Sequence, residues 1–361
     1  MRGYVSAGGP GLRCEELSIG YDRDRPLAAG LEIGARHGEL VALVGPNGSG
    51  KSTLLRVLAG LRRGLAGTVL LDQTDVGALE PAVRARLVAV GLSSHETPAH
   101  VRVRDLVSLG RYPYTSWLGG LTNEDRTAVA DALAVTGITT LADREVATLS
   151  DGEAQKAHIA RGVAQEAPLL LLDEPTAYLD VTARFEITHM LRELSHRHGR
   201  IVVFSTHDLA IARETADRMW LFAPGAAGGG RVLEGAPEDL VLDGSLGRVF
   251  SRRGVHFTAA GDAAGPSDAG TDAAGKPVVE LRGTDGPRLE WSRHALSRAG
   301  FVCVGGPPGG EEAGSGTATA RIAVTVTHGG WVIDGAREAR SVLELLSMLR
   351  ETGSQKKKPG P

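Results

Sequence analysis

The sequence lacks most of the features that mark secreted, membrane-spanning or disulfide-stabilised proteins. Its two cysteines, Cys14 and Cys303, have neither metal-ligand nor redox spacing. No apolar run approaches the roughly 20 residues that a helix needs to cross a bilayer, and the first residues contain no apolar signal-peptide core. We therefore expect a soluble cytoplasmic chain with reduced cysteines, whose connection to any membrane comes from a partner.

A strong net charge is also absent, and lysine is scarce. The formal net charge is −3, which gives no indication of a nucleic-acid partner. Of the 40 basic residues only six are lysines, and three of these lie within the last six residues. Arginine therefore serves almost everywhere that a positive charge occurs. The lysine at position 51 therefore indicates a task for which the compact ammonium group of lysine is better suited than the planar guanidinium of arginine.

Lys51 belongs to a glycine-rich stretch, GPNGSGKST, which follows the apolar run Leu40–Val44. The spacing Gly-x4-Gly-Lys-Ser/Thr predicts a loop that turns its backbone N–H groups inward around phosphates, beside the positive end of a helix. Lys51 would reach the outer phosphates, and the Ser52 hydroxyl would hold Mg2+. A glycine-rich turn that matches by chance is the alternative. The predicted nucleotide-binding residues are Gly45, Pro46, Asn47, Gly48, Ser49, Gly50, Lys51, Ser52 and Thr53.

A second stretch, LLLLDEPTAYLD, places two carboxylates at the end of an apolar strand. Four consecutive leucines predict a strand buried on both faces, as in a parallel sheet. Because adjacent residues of a strand point to opposite sides, we expect Asp173 and Glu174 to have different tasks. Asp173 suits Mg2+ coordination, and Glu174 suits polarisation of a water for in-line attack on a γ-phosphate. A solvated strand end is the alternative.

Two further stretches complete a set that resembles a known family. LSDGEAQKAHIAR opens a helix at Ser150, and STHD places His207 at the end of another buried strand. Together with the phosphate loop and the acidic strand, and in this order, these motifs resemble the ATP-binding subunit of ABC transporters over residues 12–257. The resemblance implies an α/β fold of the P-loop NTPase class, of ABC type, with a RecA-like core, an antiparallel β part and a helical subdomain.

The resemblance also implies roles for individual residues. Tyr21 matches the aromatic residue that stacks on adenine, with a surface turn tyrosine as the alternative. Ser150, Gly152 and Glu153 match the signature that clamps the γ-phosphate of ATP held by the opposite subunit. His207 matches the histidine that contacts the γ-phosphate and supports the attacking water. The catalytic residues are then Glu174, His207 and Lys51, and the Mg2+ ligands are Ser52 and Asp173.

The same resemblance implies ATP and Mg2+ as cofactors, ATP hydrolysis as the activity, and a set of partners. These partners are a second copy of the chain in a head-to-tail homodimer, an integral membrane permease and, indirectly, a substrate-binding protein. The expected location is peripheral, on the cytoplasmic face of the cell membrane.

Three positions depart from the family pattern. Asp151 replaces a glycine of the signature, and Tyr178 replaces a small residue. The stretch from Ala89 to His100 contains no glutamine, although the family has one there that senses Mg2+ and the water. Ser94 lies nearest to that position by spacing and could act through a bridging water. Glu96 has the reach, but its charge would repel phosphates unless it faced the metal. Both assignments stay open, and so does a third alternative in which the coupling through this loop is altered.

The segment RDLVSLGRYPYTSWLG, from Arg104 to Gly119, points to a branch of the family. A very similar LGRYP stretch occurs in members that energise import of iron–siderophores, haem or cobalamin. The alternative explanation is that the aromatic residues of this segment, Tyr112, Tyr114 and Trp117, only pack inside the helical subdomain. A soluble ABC-type ATPase of iron–sulfur cluster assembly is the rival function, and co-purification with either a permease or a soluble scaffold would separate the two.

The chain divides by composition into four parts. We predict an ATPase domain over residues 1–257 with its helical subdomain at about 96–166, and a Gly/Ala-rich linker over 258–277. A small α+β domain over 278–352 and a disordered tail over 353–361 follow. Within the small domain the apolar pattern predicts a closing helix over Arg337–Arg350. No motif in it indicates a function.

Overall fold

The computed structural model describes residues 11–91, 100–115, 120–223, 225, 229–250, 278–283, 286–304, 322–327 and 330–355. Its contacts divide the chain into two compact units, Met1–Glu234 and Gly235–Pro361.

The strands of the first unit form one antiparallel and one largely parallel sheet. The first sheet has the order β2-β1-β4-β5, and the second has the order β10-β9-β3-β8-β7-β6. The strands are β1 (Leu12–Gly20), β2 (Pro26–Ala35), β3 (Leu40–Val44), β4 (Ala66–Leu71), β5 (Thr74–Asp75), β6 (Val88–Gly91), β7 (Leu169–Leu172), β8 (Ile201–Thr206), β9 (Arg218–Ala223) and β10 (Arg231–Gly235).

The central strands of the second sheet are parallel and fully buried. Every residue of β3, β7 and β8 is buried, as the runs of Leu, Val and Ile predict for strands covered on both faces. The register pairs Val44 with Thr206 and Leu172 with Phe204. Because parallel strands present their carboxyl ends at one edge, the segments that follow Val44, Leu172 and Thr206 meet there.

The helices of the first unit surround this sheet and build the predicted helical subdomain. They are α1 (Lys51–Leu58), α2 (Pro81–Leu87), α3 (Val103–Ser108), α4 (Asn123–Val135), α5 (Asp151–Ala164), α6 (Val181–His198) and α7 (Leu209–Thr215). Shorter 3-10 turns cover Val76–Ala78, Leu109–Tyr114, Thr139–Leu141 and Val146–Thr148.

The helical subdomain consists of α3, α4 and α5, which pack against one another. Helix α4 begins with a capping box in which Thr122 and Asp125 exchange hydrogen bonds with each other's backbone. The Asp125 carboxylate also accepts a hydrogen bond from buried Arg111, whose guanidinium donates to the Ala164 carbonyl at the end of α5. The start of α4 and the end of α5 are therefore joined through one arginine.

The second unit contains a five-stranded sheet in the order β12-β11-β13-β14-β15. Residues Val324, Val326 and Ile333 point into its core, whereas Thr325 and Thr327 are exposed, which is the period-two pattern of a sheet with one covered face. Its elements are α8 (Pro237–Leu242), α9 (Ser245–Phe250), β11 (Val278–Gly283), α10 (Gly286–Arg298), β12 (Val302–Val304), β13 (Ile322–Thr327), β14 (Gly330–Ile333), β15 (Arg337–Ala339) and α11 (Val342–Gln355).

The second unit begins earlier than the sequence suggested. Helix α8 contacts α10 and α11, and its Glu238 forms an ion pair with Arg298. The segment from Gly235 to Phe250, which the sequence assigned to the ATPase domain, therefore belongs by its contacts to the second unit. Composition could not reveal this, because the assignment depends on contacts between segments far apart in the chain.

Two predictions for the second unit need correction. Residues Arg337–Ala339 form strand β15, paired with β14, and not the first turn of a helix. Backbone pairing with a neighbouring strand outweighs local helical preference here. Helix α11 then continues to Gln355, three residues into the predicted tail, because Gly353 weakens a helix without ending it. The remaining predicted tail and the linker lie outside the described residues.

Candidate nucleotide site

The phosphate loop lies where the sequence placed it, between the end of β3 and the start of α1. Gly50 caps the helix with φ at 113°, a backbone conformation that residues with a side chain rarely adopt. A Cβ atom there would also come within 3.1 Å of the Phe222 ring. The glycine therefore allows both the turn and its close packing on β9.

Lys51 is buried and turned back toward the loop. Its side chain is only 6% exposed, and its Nζ donates hydrogen bonds to the carbonyls of Gly45 at 2.9 Å and Pro46 at 3.3 Å. Burial lowers the pKa of Lys51, and the nearby carboxylates of Glu174 and Asp173 oppose that effect. The ammonium group thus lies in the concave side of the loop, close to the acidic pair.

The loop has unused hydrogen-bonding capacity that suits phosphate oxygens. The hydroxyl oxygen of Ser49 is buried and has no hydrogen-bond partner among the described residues. An unpaired buried hydroxyl costs free energy unless a ligand satisfies it. Together with the Lys51 ammonium and the N-terminal end of α1, this donor fits the triphosphate of ATP.

The acidic pair follows β7 and is held by Ser205 of β8. The Ser205 hydroxyl donates to Asp173 Oδ1 at 2.6 Å and accepts from the backbone N–H of Glu174 at 2.8 Å. The sequence argument from strand alternation does not apply, because β7 already ends at Leu172. Glu174 instead adopts the left-handed region, with φ at 49°, directly after the buried Asp173.

His207 lies next to Glu174 at the same sheet edge. Its Nδ1 is 3.4 Å from Glu174 Oε2, within ion-pairing distance, while most of its ring is open to solvent. The sequence predicted that Lys51, Asp173, Glu174 and His207 serve one site, and the structure brings these four residues together at the carboxyl edge of the parallel sheet.

A magnesium ion would find few protein ligands here. Ser52 lies in the first turn of α1, and the buried carboxylate of Asp173 is close enough to Lys51 to influence its pKa. No group of three or more His, Cys, Asp or Glu side chains suited to a metal occurs among the described residues. Ser52 and Asp173 therefore fit Mg2+ only if phosphate and water oxygens complete its shell, as is usual for this ion.

Tyr21 stands beside the phosphate loop with most of its ring exposed. It is 69% exposed, and its hydroxyl lies 3.5 Å from Thr53 Oγ1 in the first turn of α1. The guanidinium carbon of Arg62 lies over the ring, 4.1 Å from its centroid. The hydrogen bond with Thr53 lowers the pKa of Tyr21, and the charges of Arg62 and Arg56 lower it further.

The predicted signature residues lie at the start of α5 and not at the carboxyl edge of the parallel sheet where the four residues above meet. Ser150 and Glu153 form a capping box at the start of α5, and the Glu153 carboxylate accepts hydrogen bonds from the Ser150 backbone and hydroxyl. The hydrogen bond from the Ser150 backbone lowers the pKa of Glu153. A Cβ atom on Gly152 would lie 3.1 Å from the Cβ of Ala183, so this helix start faces α6.

Two of the positions that depart from the family pattern, Tyr178 and Asp151, lie among the described residues. Tyr178 is 96% exposed and also adopts a left-handed backbone, with φ at 63°. Asp151 is the exposed first residue of α5, directly after the capping residue Ser150. The candidates for the missing glutamine, Ser94 and Glu96, lie outside the described residues and stay predictions.

Sequence reasoning assigned no role to Ser205 or Arg62. Ser205 was visible as the first residue of STHD, but its hydrogen bonds to Asp173 and Glu174 depend on the pairing of β7 with β8. Arg62 gave no signal, because it lies in an ordinary turn after α1 and reaches Tyr21 only in the folded chain.

Comparison with known proteins connects this geometry to one family. A family model described as ABC transporter matches residues 29–177, which include the phosphate loop, the signature and the acidic pair. The ferric enterobactin transport ATP-binding protein of Escherichia coli K12 is 36% identical over 242 residues, covering 67% of this chain and 88% of that protein. The cobalamin import ATP-binding protein of Halobacterium salinarum is 37% identical over 274 residues, covering 75% of this chain and 67% of that protein.

A solved structure shows the same similarity in three dimensions. It is cbiO1 from Clostridium perfringens, part of the ABC transporter complex cbiONQ. The two chains are 27% identical and superpose with a TM-score of 0.58, covering 68% of this chain and 96% of that chain.

Proposed function

The chain belongs to the ABC transporter family as an ATP-binding subunit, and we propose that it couples ATP hydrolysis to the import of an iron–siderophore, haem or cobalamin ligand. The observation that supports this proposal most directly is the meeting of Lys51, Asp173, Glu174 and His207 at one sheet edge. A phosphate loop alone would serve many nucleotide-binding proteins, whereas the acidic pair and the histidine beside it suit hydrolysis.

Hydrolysis would use these side chains in distinct ways. The Lys51 ammonium would leave the loop carbonyls and bind the outer phosphates, where charge-assisted hydrogen bonds are strongest. The Glu174 carboxylate would accept a proton from the attacking water, and His207, 3.4 Å away, would hold that carboxylate and the water in position. Ser205 would fix the backbone that carries Glu174. A Mg2+ ion held by Ser52 and Asp173 would neutralise charge on the phosphate oxygens.

The ligand class is supported by two observations. Two relatives are named as ATP-binding proteins of ferric enterobactin transport and of cobalamin import, and the LGRYP stretch of this chain resembles the same branch. These observations favour an importer over the soluble assembly ATPase. The protein would act at the cytoplasmic face of the cell membrane as a peripheral subunit. No helix in the described part of the chain is long and apolar enough to cross a bilayer.

A surface on the helical subdomain suits the permease. Leu109 and Tyr112 of the 3-10 turn, and Val83 of α2, are exposed hydrophobic residues on elements that pack together. Arg86 stabilises the turn by donating to the Pro113 carbonyl at 3.0 Å. Aromatic residues held rigidly at a surface are typical anchors of protein interfaces. A helix of the permease that is exposed at the cytoplasmic face would bind here.

A second copy of the chain would complete the nucleotide site. The signature residues Ser150, Gly152 and Glu153 form the start of α5 and make their hydrogen bonds within that helix start. They would reach the γ-phosphate of an ATP held by the phosphate loop of the other copy. This head-to-tail arrangement places two ATP molecules at the dimer interface.

One experiment tests the proposed function as a whole. The chain is co-expressed with a candidate permease from the same genome and reconstituted in lipid nanodiscs. We expect Mg2+-dependent ATP hydrolysis that increases when the binding protein loaded with a ferric siderophore or cobalamin is added. Failure to assemble with the permease, combined with binding to a soluble cluster-assembly scaffold, would establish the rival function.

A further inference from the structure

Arg62 contacts Tyr21, and the proposed hydrolysis of the phosphates assigns no role to this contact. Its guanidinium carbon lies 4.1 Å from the centroid of the Tyr21 ring. Its terminal nitrogen donates to the Gly20 carbonyl at 2.9 Å, one residue before the tyrosine. One arginine therefore holds both the backbone and the ring at the end of β1.

The other end of the Tyr21 ring lies near the phosphate loop. Its hydroxyl is 3.5 Å from Thr53 Oγ1, two residues after Lys51 of that loop, which is a long and weak contact. With one ring face under the guanidinium and the hydroxyl beside Thr53, the residue is still 69% exposed. The face opposite Arg62 is therefore open beside the start of α1.

We propose that Arg62 is a positioning residue that holds the Tyr21 ring as a rigid platform for the base of the nucleotide, and so raises affinity for ATP through the base alone. This inference rests on the proposed ATP-binding function. Because the contacts of Arg62 are with the Tyr21 ring and the Gly20 carbonyl, we expect its contribution to depend on the presence of a base.

Two physical effects support this role. A cation over an aromatic face is attracted by the ring's negative quadrupole, which fixes the ring before the nucleotide arrives. A side chain that is already ordered loses less conformational entropy on binding. At a partly exposed site these effects correspond to about a 2- to 5-fold change in affinity.

The test compares ATP with inorganic tripolyphosphate, which has the phosphates but no base. Both affinities are measured by calorimetry on the full chain in EDTA, so that no hydrolysis occurs. We expect Arg62→Ala to weaken ATP binding about 2- to 5-fold and to leave tripolyphosphate binding unchanged. Arg63→Ala is the matched control, because Arg63 is an exposed neighbour that contributes the same charge but no contact with Tyr21.

A second variant separates stacking from backbone anchoring. Arg62→Gln can still donate a hydrogen bond to the Gly20 carbonyl, but it has no cation to place over the ring. We expect it to behave like Arg62→Ala toward ATP. In a Tyr21→Ala background, either change at Arg62 should have no further effect, because the platform is already absent.

The outcomes distinguish this inference from the function on which it rests. Unchanged ATP affinity in both Arg62 variants would overturn the positioning role, as would an equal loss of ATP and tripolyphosphate affinity or an equal effect of Arg63→Ala. In each of these cases the wild-type chain still binds ATP and the proposed function stands. A wild-type chain that binds neither ligand would overturn the proposed function itself.

Discussion

The second unit and the nucleotide site of the first unit use charged residues in opposite ways. In the second unit Glu238 is completely buried, yet Arg298 and His294 satisfy its carboxylate at 2.8 and 3.2 Å. Burial opposes ionisation of Glu238, but the charge of Arg298 and the hydrogen bond from His294 outweigh it and lower the pKa. These partners all lie within the same unit.

The nucleotide site of the first unit leaves comparable groups unsatisfied. The Ser49 hydroxyl has no partner among the described residues, and Lys51 donates only to carbonyls of its own loop. Glu174 and Tyr178 adopt left-handed backbone conformations that cost free energy for residues with side chains. The difference indicates that the first unit is arranged for a ligand, whereas the charged cluster of the second unit stabilises its own fold.

The largest effect that this comparison predicts is on catalysis. Glu174→Gln removes the base that accepts the proton from water, so we expect turnover to fall about 10²- to 10⁴-fold while ATP still binds. Steady-state ATPase assays and calorimetry measure the two quantities. Glu80→Gln, at an exposed glutamate of the same unit, is the control and should retain full activity. Wild-type turnover in Glu174→Gln would exclude this role.

In the second unit, the corresponding change should affect stability alone. Arg298→Ala leaves the buried Glu238 carboxylate without its main partner, and breaking such a pair costs about 3–5 kcal/mol. We expect the unfolding transition of the second unit, followed by fluorescence of Trp291 and Trp331, to shift accordingly. ATP affinity should stay unchanged. A loss of ATP affinity in the folded variant would contradict the division of roles between the units.

Nucleotide binding should depend on Lys51. Loss of two charge-assisted hydrogen bonds in Lys51→Ala should weaken ATP binding at least about a hundred-fold, without unfolding the chain. Calorimetry gives the affinity, and circular dichroism tests the fold. Lys156→Ala is the matched control, because this lysine pairs with Glu186 on α6 instead of facing the loop. Near-normal ATP affinity in Lys51→Ala would show that the loop does not bind phosphates.

The smallest predicted effect concerns pH and Asp239. Burial raises the pKa of this carboxyl to about 6, although it accepts hydrogen bonds from the backbone of Val342 and Leu343 at the start of α11. Because the folded state binds this proton more tightly than the unfolded state, the contribution of Asp239 to stability is greatest below its ordinary pKa and declines as pH rises toward and through about 6. Between pH 5 and pH 7 the loss for the second unit should be about 1 kcal/mol.

Denaturant titrations of the second unit at the two pH values measure this slope. In this window Glu238, whose pKa is lowered, stays ionised and does not contribute. Asp239→Asn should abolish the slope, since the amide does not titrate. A slope that persists in the variant would assign the pH dependence to another group.

The motifs of the nucleotide site were predictable because each is contiguous in the chain. The strand–loop–helix unit around Lys51 and the leucine strand before Asp173 depend on residues that are neighbours in sequence. The capping box at Ser150 and Glu153 is equally local. Strand β15 was not predictable, because Arg337–Ala339 is extended only through its pairing with β14.

The sequence by itself therefore determined the family and the order of the motifs, and it predicted which residues form the nucleotide site. Only the tertiary structure decided how those residues are held: Ser205 forms hydrogen bonds with Asp173 and Glu174, and Arg62 lies over the Tyr21 ring. It also decided that α8 belongs to the second unit. The physical reason is that a short motif encodes its own backbone conformation through glycines, caps and buried strands. A hydrogen bond or a ring contact between distant segments exists only after strand pairing and helix packing have brought them within a few ångströms.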